Sequence, residues 1–267
     1  MRKSFLIIAT VVITFCLTAF GFIYHDNPEP VQRALSCNKT VENNHFENII
    51  SDHAEPEFSL DVGPRFITRI TKAQLSQAKQ IVDLVPEKAT RGIESFWSTR
   101  IVFRTHEADA EFEKGDGNEL NAAQLTLLQS ADYSTNFCIE AYCKRRNPES
   151  GQLEIQCFVV YVTVIPEQEA EYESGHDSLL KFLKDNSREA IVAVPREKLE
   201  PGKVYFTVNK NGTIENVKVV SDSGFGSVDE KMVELISNMP GKWRPAQNSI
   251  GEKVDQELVL FYGGDDC

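Results

Sequence analysis

The longest β-branched and aromatic run in the chain is Phe158-Val159-Val160-Tyr161-Val162-Thr163-Val164-Ile165. It closes two strand-like segments, 136–145 and 153–165, that flank the turn-forming Asn147-Pro148-Glu149-Ser150-Gly151. Such side chains pack on a pleated surface better than around a helix, so the middle of the chain is committed to a hairpin. Centring that hairpin near Ser150 brings Cys143 opposite Cys157, to within about one residue of register. A cross-strand Cys143–Cys157 disulfide is one reading of these residues. Three buried thiols, with Cys138, is the other.

The segments around the hairpin extend the same theme. Phe58-Ser59-Leu60-Asp61-Val62 alternates, Gly63-Pro64 turns the chain, and 66–70 resumes strand character. Thr71 with Gln74 forms a capping box for a helix whose apolar residues, Leu75, Ala78, Ile81, Val82 and Val85, recur at helical spacing until Pro86. A strand over 98–105, a turn at Gly115-Asp116-Gly117-Asn118 and a short helix over 121–129 complete a β-rich domain of unknown role over 57–168.

The N-terminus bears on location. Arg2 and Lys3 precede an uncharged run over 4–24. About twenty helical residues span the hydrocarbon core, and the positive-inside rule then leaves the rest of the chain outside the cytoplasm. A signal peptide cleaved near Ala19-Phe20-Gly21 is the alternative, and it gives the same compartment. Residues 1–24 are therefore read as anchor or signal. Residues 25–56, polar and unpatterned, are read as a linker. The expected localisation is the cell envelope: inner-membrane anchored with periplasmic domains, or periplasmic if the signal is cleaved. The chain of 267 residues carries 28 basic and 40 acidic side chains, a net charge of −12, which excludes the electrostatic footprint of a nucleic-acid binder.

Residues 169–267 read as a helix around Leu179, Leu180, Phe182 and Leu183, strands over 204–208 and 213–220, a helix over 228–239 and a closing strand over 255–262, an α+β unit. Asn211-Gly212 predicts a tight two-residue hairpin turn, and Ser227 with Glu230 a second capping box. Trp243, between Lys242 and Arg244, is expected to lay its ring on the sheet while the charges face water.

The ordered motifs of this unit resemble the TonB C-terminal domain family, in versions found in Bacteroidetes-type bacteria. They are the hairpin over 202–214 and Asn216-Val217-Lys218-Val219-Val220. Then come Ser221-Asp222-Ser223-Gly224, the helix start Ser227-Val228-Asp229, Pro240-Gly241-Lys242-Trp243-Arg244-Pro245-Ala246 and Gly251-Glu252-Lys253-Val254, followed by the last strand. The resemblance covers 174–263. It implies an envelope protein that binds an outer-membrane TonB-dependent receptor, or another envelope partner, by β-strand addition beside its last strand, in support of energy-dependent transport. Carried onto this chain, the binding edge is Gln256, Glu257, Leu258, Val259, Leu260 and Phe261. An ExbB/ExbD-type motor at the inner membrane is the further partner implied. Energy-transducing members carry a His inside the membrane helix; residues 4–24 hold none, and His25 lies at the outer end. A periplasmic scaffold without energy transduction is the alternative. Residues 117–128, with the strands that follow, resemble a β-sandwich domain of gliding-motility periplasmic subunits.

No enzyme motif competes with this reading. The chain has no G-x-S-x-G, H-E-x-x-H or phosphate loop, and no two Cys stand in C-x-x-C spacing. His45 and His53 sit in an unpatterned stretch that does not hold ligands in geometry. The acidic residues after His106 lack the alternating ligands of a calcium loop. The expectation is a non-enzyme with no cofactor and no metal.

Overall fold

The computed structural model describes residues 58–104 and 109–264. Residues 1–24, read above as anchor or signal, and 25–56, read as a linker, lie outside the described residues, as do His45, His53 and His106. The described chain is a mixed α+β structure, mostly sheet with few helices. Among the described residues no helix is long and apolar enough to cross a membrane.

In chain order the first elements are β1 (Ser59–Gly63), β2 (Thr68–Thr71), α1 (Lys72–Gln77), β3 (Ile93–Arg104), β4 (Asp109–Gly115), α2 (Ala122–Gln129), β5 (Asn136–Arg146) and β6 (Leu153–Ile165). Five of these strands make one sheet in the order β2-β6-β5-β3-β4, antiparallel except for the β2–β6 pair. The β5–β6 hairpin is its spine, paired without interruption from Arg146↔Leu153 to Asn136↔Thr163. Asn147 closes the turn by accepting the backbone N–H groups of Glu149 and Ser150 on its side-chain oxygen, at 2.9 and 3.1 Å. One face of this sheet, with Ile101, Phe137, Ile139, Phe158 and Val162, is buried under α1, α2 and the 3-10 turn Ile81–Leu84.

Register decides the cysteines. Tyr142, not Cys143, lies opposite Cys157, and Cys143 lies opposite Gln156. A one-residue offset sends two side chains to opposite faces of a sheet, so the Cys143–Cys157 disulfide is corrected. Cys138 and Cys143 are buried thiols. Cys157 is exposed and disulfide-bonded, to neither of them.

The expected Thr71–Gln74 capping box forms, and the structure adds a second one at α2. Thr71 and Gln74 exchange bonds of 3.0 and 3.2 Å, and Asn121 with Gln124 does the same at α2. The helix expected through Val85 stops at Gln77, however. The carboxylate of Asp83 accepts the N–H groups of Lys79 and Gln80, both at 2.9 Å, and Ile81 N donates to Asn118 O at 2.7 Å. These bonds draw the chain into an extended link, and Leu75, Ala78, Ile81 and Leu84 all remain buried.

The second half adds β7 (Glu171–Tyr172), α3 (His176–Val192), β8 (Gly202–Val208), β9 (Ile214–Ser221), α4 (Gly226–Ser237), β10 (Trp243–Arg244), β11 (Ala246–Gln247), β12 (Lys253–Val254) and β13 (Gln256–Gly263). Its main sheet has the order β1-β13-β8-β9, all antiparallel. Helices α3 and α4 cover one face, where Leu179, Leu183, Val228, Met232 and Ile236 meet Val204, Phe206, Leu258 and Leu260. Tyr205, Val259 and Phe261 cluster on the other face. β1, which the sequence pattern groups with the β-rich segment over 57–168, therefore hydrogen-bonds into the C-terminal sheet.

Two local expectations change here. The β8–β9 loop has three residues, not two. Asn209 N donates to Thr213 O at 3.0 Å, Gly212 N donates to Asn209 O at 2.8 Å, and within the loop only Gly212 takes a positive φ, +77°. That is a type I turn closed by a glycine bulge. The Asn209 side chain selects it by accepting the N–H groups of Asn211 and Thr213, at 3.0 and 3.1 Å. The Ser227–Glu230 capping box is absent, because α4 starts two residues early with Phe225 as its cap. Asp229 turns inward instead, accepting Ser223 N at 3.0 Å and the Tyr262 hydroxyl at 2.8 Å.

Candidate partner-binding edge

The closing strand was expected to present its backbone to a partner. β13 is instead an inner strand. On one side it pairs with β8 from Gln256↔Val208 to Tyr262↔Gly202. On the other side it pairs with β1 from Gly63↔Val259 to Ser59↔Gly263. Where β1 stops, the N–H of Glu257 donates to Ser134 Oγ at 2.9 Å. The assignment of Gln256, Glu257, Leu258, Val259, Leu260 and Phe261 as an open edge is thus corrected: the edge is filled from within the chain. The physical reason is non-local. An alternating pentapeptide fits any sheet edge, and its own pattern does not say which one it joins. Alternation along β13 sends Leu258 and Leu260 toward the helices and Val259 and Phe261 away.

The start of β13 is tied down by polar bonds. Gln256 is almost fully buried; its side chain accepts Ala170 N at 2.7 Å and donates to Glu169 at 3.0 Å. Glu169 in turn pairs with Arg69 at 2.9 Å. This set links both sheets, and neither sequence periodicity nor any motif pointed to it. A glutamine at the head of a largely apolar strand is the one signal the sequence offers.

β1 is a light element. It has five residues, Pro64 ends it, and among the described residues no strand pairs with its outer side. Val62 anchors it in the helix-covered core, and Asp61 faces His176 Nε2 at 3.1 Å. A cavity of about 200 Å³ opens where β1 ends, lined by Val62, Pro64, Tyr172, His176, Trp243 and Leu258. Trp243 does lay its ring on the sheet, edge-on to Phe206 at 5.8 Å and to Tyr172 at 5.7 Å, while Lys242 and Arg244 are exposed. Its indole N–H is buried and finds no hydrogen-bond partner among the described residues.

At the far side, β9 is the other outer strand of this sheet. Asn216 sits at φ +57°, beside a register shift between Tyr205 and Thr207. Such a bulge twists an edge away from flat pairing. The two sides of the sheet therefore differ: the bulge in β9 discourages a further strand, whereas the outer side of β13 is occupied by β1.

Behind the β13 edge, burial first and then the neighbouring Asp229 push the Tyr262 phenol far above its ordinary pKa, so it stays a hydrogen-bond donor. No protein-family model matches the chain, and searches of curated proteins and of solved structures return no match.

Proposed function

We infer that the protein is a TonB-like cell-envelope protein whose C-terminal sheet takes up an extended segment of an outer-membrane receptor or another envelope partner by strand addition. The observation that carries this is the β1–β13 pair. A five-residue extended segment, almost two hundred positions away in sequence, lies antiparallel on the outer side of the last strand. That is the place the resemblance assigns to a receptor peptide. A partner segment takes the place of β1, exchanging one ladder for an equivalent one, so the β13 backbone loses no hydrogen bond overall. The chemistry asked of the partner is modest: an extended backbone with an apolar residue at the Val62 position.

The filled edge also favours a second reading, in which β1 stays in place and the protein is a scaffold without energy transduction. A lock separates the two. Asp61 and Phe261 lie directly opposite each other, so the pair Asp61→Cys and Phe261→Cys can fix β1 on β13. Peptides from the N-terminal segments of TonB-dependent receptors should bind the wild-type chain and the reduced double variant, but not the oxidised one. Binding that survives the lock sinks the exchange mechanism. No binding by any form leaves the scaffold reading.

A further inference from the structure

The C-terminal half carries a cleft away from the β13 edge. Its volume is about 760 Å³, within the range of clefts that take ligands. The β8–β9 loop, the C-terminal end of α4 at Ser237 and Met239, the segment over 241–247 and Lys253 of β12 enclose it. These walls are held from several sides. β10 pairs with β7, and Glu173 N donates to Lys242 O at 3.0 Å. The Tyr172 hydroxyl donates to the carbonyl of Pro240. Gln247 stands opposite Lys253 in the β11–β12 pair. Gly212 packs so closely on the carbonyl oxygen of Trp243 that the β8–β9 loop is tied to β10. A cleft shaped before its ligand arrives loses little entropy on binding.

The charge in this cleft runs against the chain as a whole. The net charge is −12, yet the walls hold Lys242, Arg244 and Lys253 against one carboxylate, Glu173. Arg244 is engaged by Glu171, across the β10–β7 pair. Lys242 and Lys253 are exposed and pair with no carboxylate among the described residues. The side chains of Asn211, Thr213 and Ser237 likewise bond to no described residue. Half-buried Ile214, Met239 and Pro245 give the same walls an apolar strip.

A compact dianion such as phosphate suits these walls poorly. Phosphate sites draw on helix N-termini, whereas the helix end at this cleft is the C-terminal one, with unpaired carbonyls and a negative partial charge. An extended peptide suits them better. Its carboxylates can be spaced to reach two separate ammonium groups, its N–H groups can donate to the helix carbonyls, and an apolar side chain can cover Met239 and Pro245.

We propose that this cleft binds an extended acidic segment of a partner protein, with Lys242 and Lys253 taking its carboxylates and Ile214, Met239 and Pro245 receiving an apolar side chain. The site is separate from the β13 edge and stands whether or not that edge exchanges strands.

The full chain and a fluorescein-labelled peptide of alternating Asp and Leu test this by fluorescence polarisation, with the matching Asn–Leu peptide as control. The acidic peptide should bind and the control should not, and salt should weaken the binding. Lys242→Glu with Lys253→Glu should weaken it roughly tenfold. The same charge change at Lys144 and Lys181, exposed lysines outside the cleft, should leave it unaltered. Glu173→Gln should tighten it. The oxidised Asp61→Cys/Phe261→Cys chain, with β1 fixed on β13, should still bind. Loss of binding in that locked form would place the peptide at β13 and overturn the proposal. Equal loss in both double-lysine variants would reduce it to general charge attraction and overturn it as well. So would no binding of the acidic peptide, equal binding of the control, or a Lys242- and Lys253-dependent preference for inorganic phosphate or phosphatidylglycerol vesicles over the peptide.

Discussion

Gly212 holds the β8–β9 loop in a conformation no other residue fits. Its φ is +77°, and a Cβ there would collide with the carbonyl oxygen of Trp243. Gly212→Val therefore combines left-handed strain with a backbone clash and should destabilise the protein by about 2–3 kcal/mol, read as a lower urea midpoint. An unchanged midpoint would mean the loop is not built this way. The need for glycine was legible in Asn211-Gly212, but the loop length was not. The deciding group is the Asn209 side chain, one residue outside the dipeptide that signals the turn. Tyr262 is the second residue whose chemistry can be tested. Its raised pKa means the folded chain holds the phenol proton more tightly than the unfolded chain does. Its contribution is fully present below the ordinary tyrosine pKa of about 10 and is lost as pH rises above it. Tyr262→Phe should lower stability by about 1–2 kcal/mol at neutral pH, by removing the donor to Asp229. The gap to wild type should narrow above about pH 10. A gap that stays constant up to the alkaline limit of folding would contradict the assigned burial.

At the scale of elements, the pattern of the sequence located the longer strands and helices, missed β4 and the two-residue strands β7, β10, β11 and β12, and misjudged what β1 and β13 meet. The β5–β6 hairpin is legible because its residue types leave it no other structure. The break between α1 and the 3-10 turn Ile81–Leu84 is not, since Asn118 imposes it from outside the segment. The edge of β13 was misread for the same kind of reason. Hydrophobic alternation reports that a strand has two faces and says nothing of its two sides. The contact between Ser134 and Glu257 is another case, because it joins residues 123 positions apart. Ser134 itself sits at φ +65°, held there by its surroundings. Ser134→Ala should leave the Glu257 N–H without an acceptor, destabilising by about 1–2 kcal/mol and speeding exchange of that one amide. Equal exchange in both proteins would show that the bond does not form in solution.

Across the whole described chain, β1 is the element that makes two sheets depend on each other. It leaves the C-terminal sheet at Gly63 and enters the five-stranded sheet at Thr68 after only four residues. The connection over 166–176, read from sequence as a boundary, is also pinned: Gln168 and Gln247 exchange backbone bonds of 3.1 and 2.9 Å, and Tyr172 pairs with Trp243. Limited proteolysis should accordingly spare 166–176. The dependence can be measured by taking it apart. A fragment of residues 169–264 has β8, β9, β13 and both helices but lacks β1, so the β13 ladder is left open and part of the Val62 contact with the core is lost. That fragment should melt lower than the same sheet within the full chain. A synthetic peptide of residues 58–63 should restore stability in a concentration-dependent way, since a ligand that binds only the folded form stabilises it by RT ln(1 + [L]/Kd). A peptide with proline in place of Asp61 should restore less, because a proline fits a strand poorly. If the fragment is indifferent to both peptides, the outer side of β13 is not a strand acceptor, and strand addition there fails for a partner as it fails for β1.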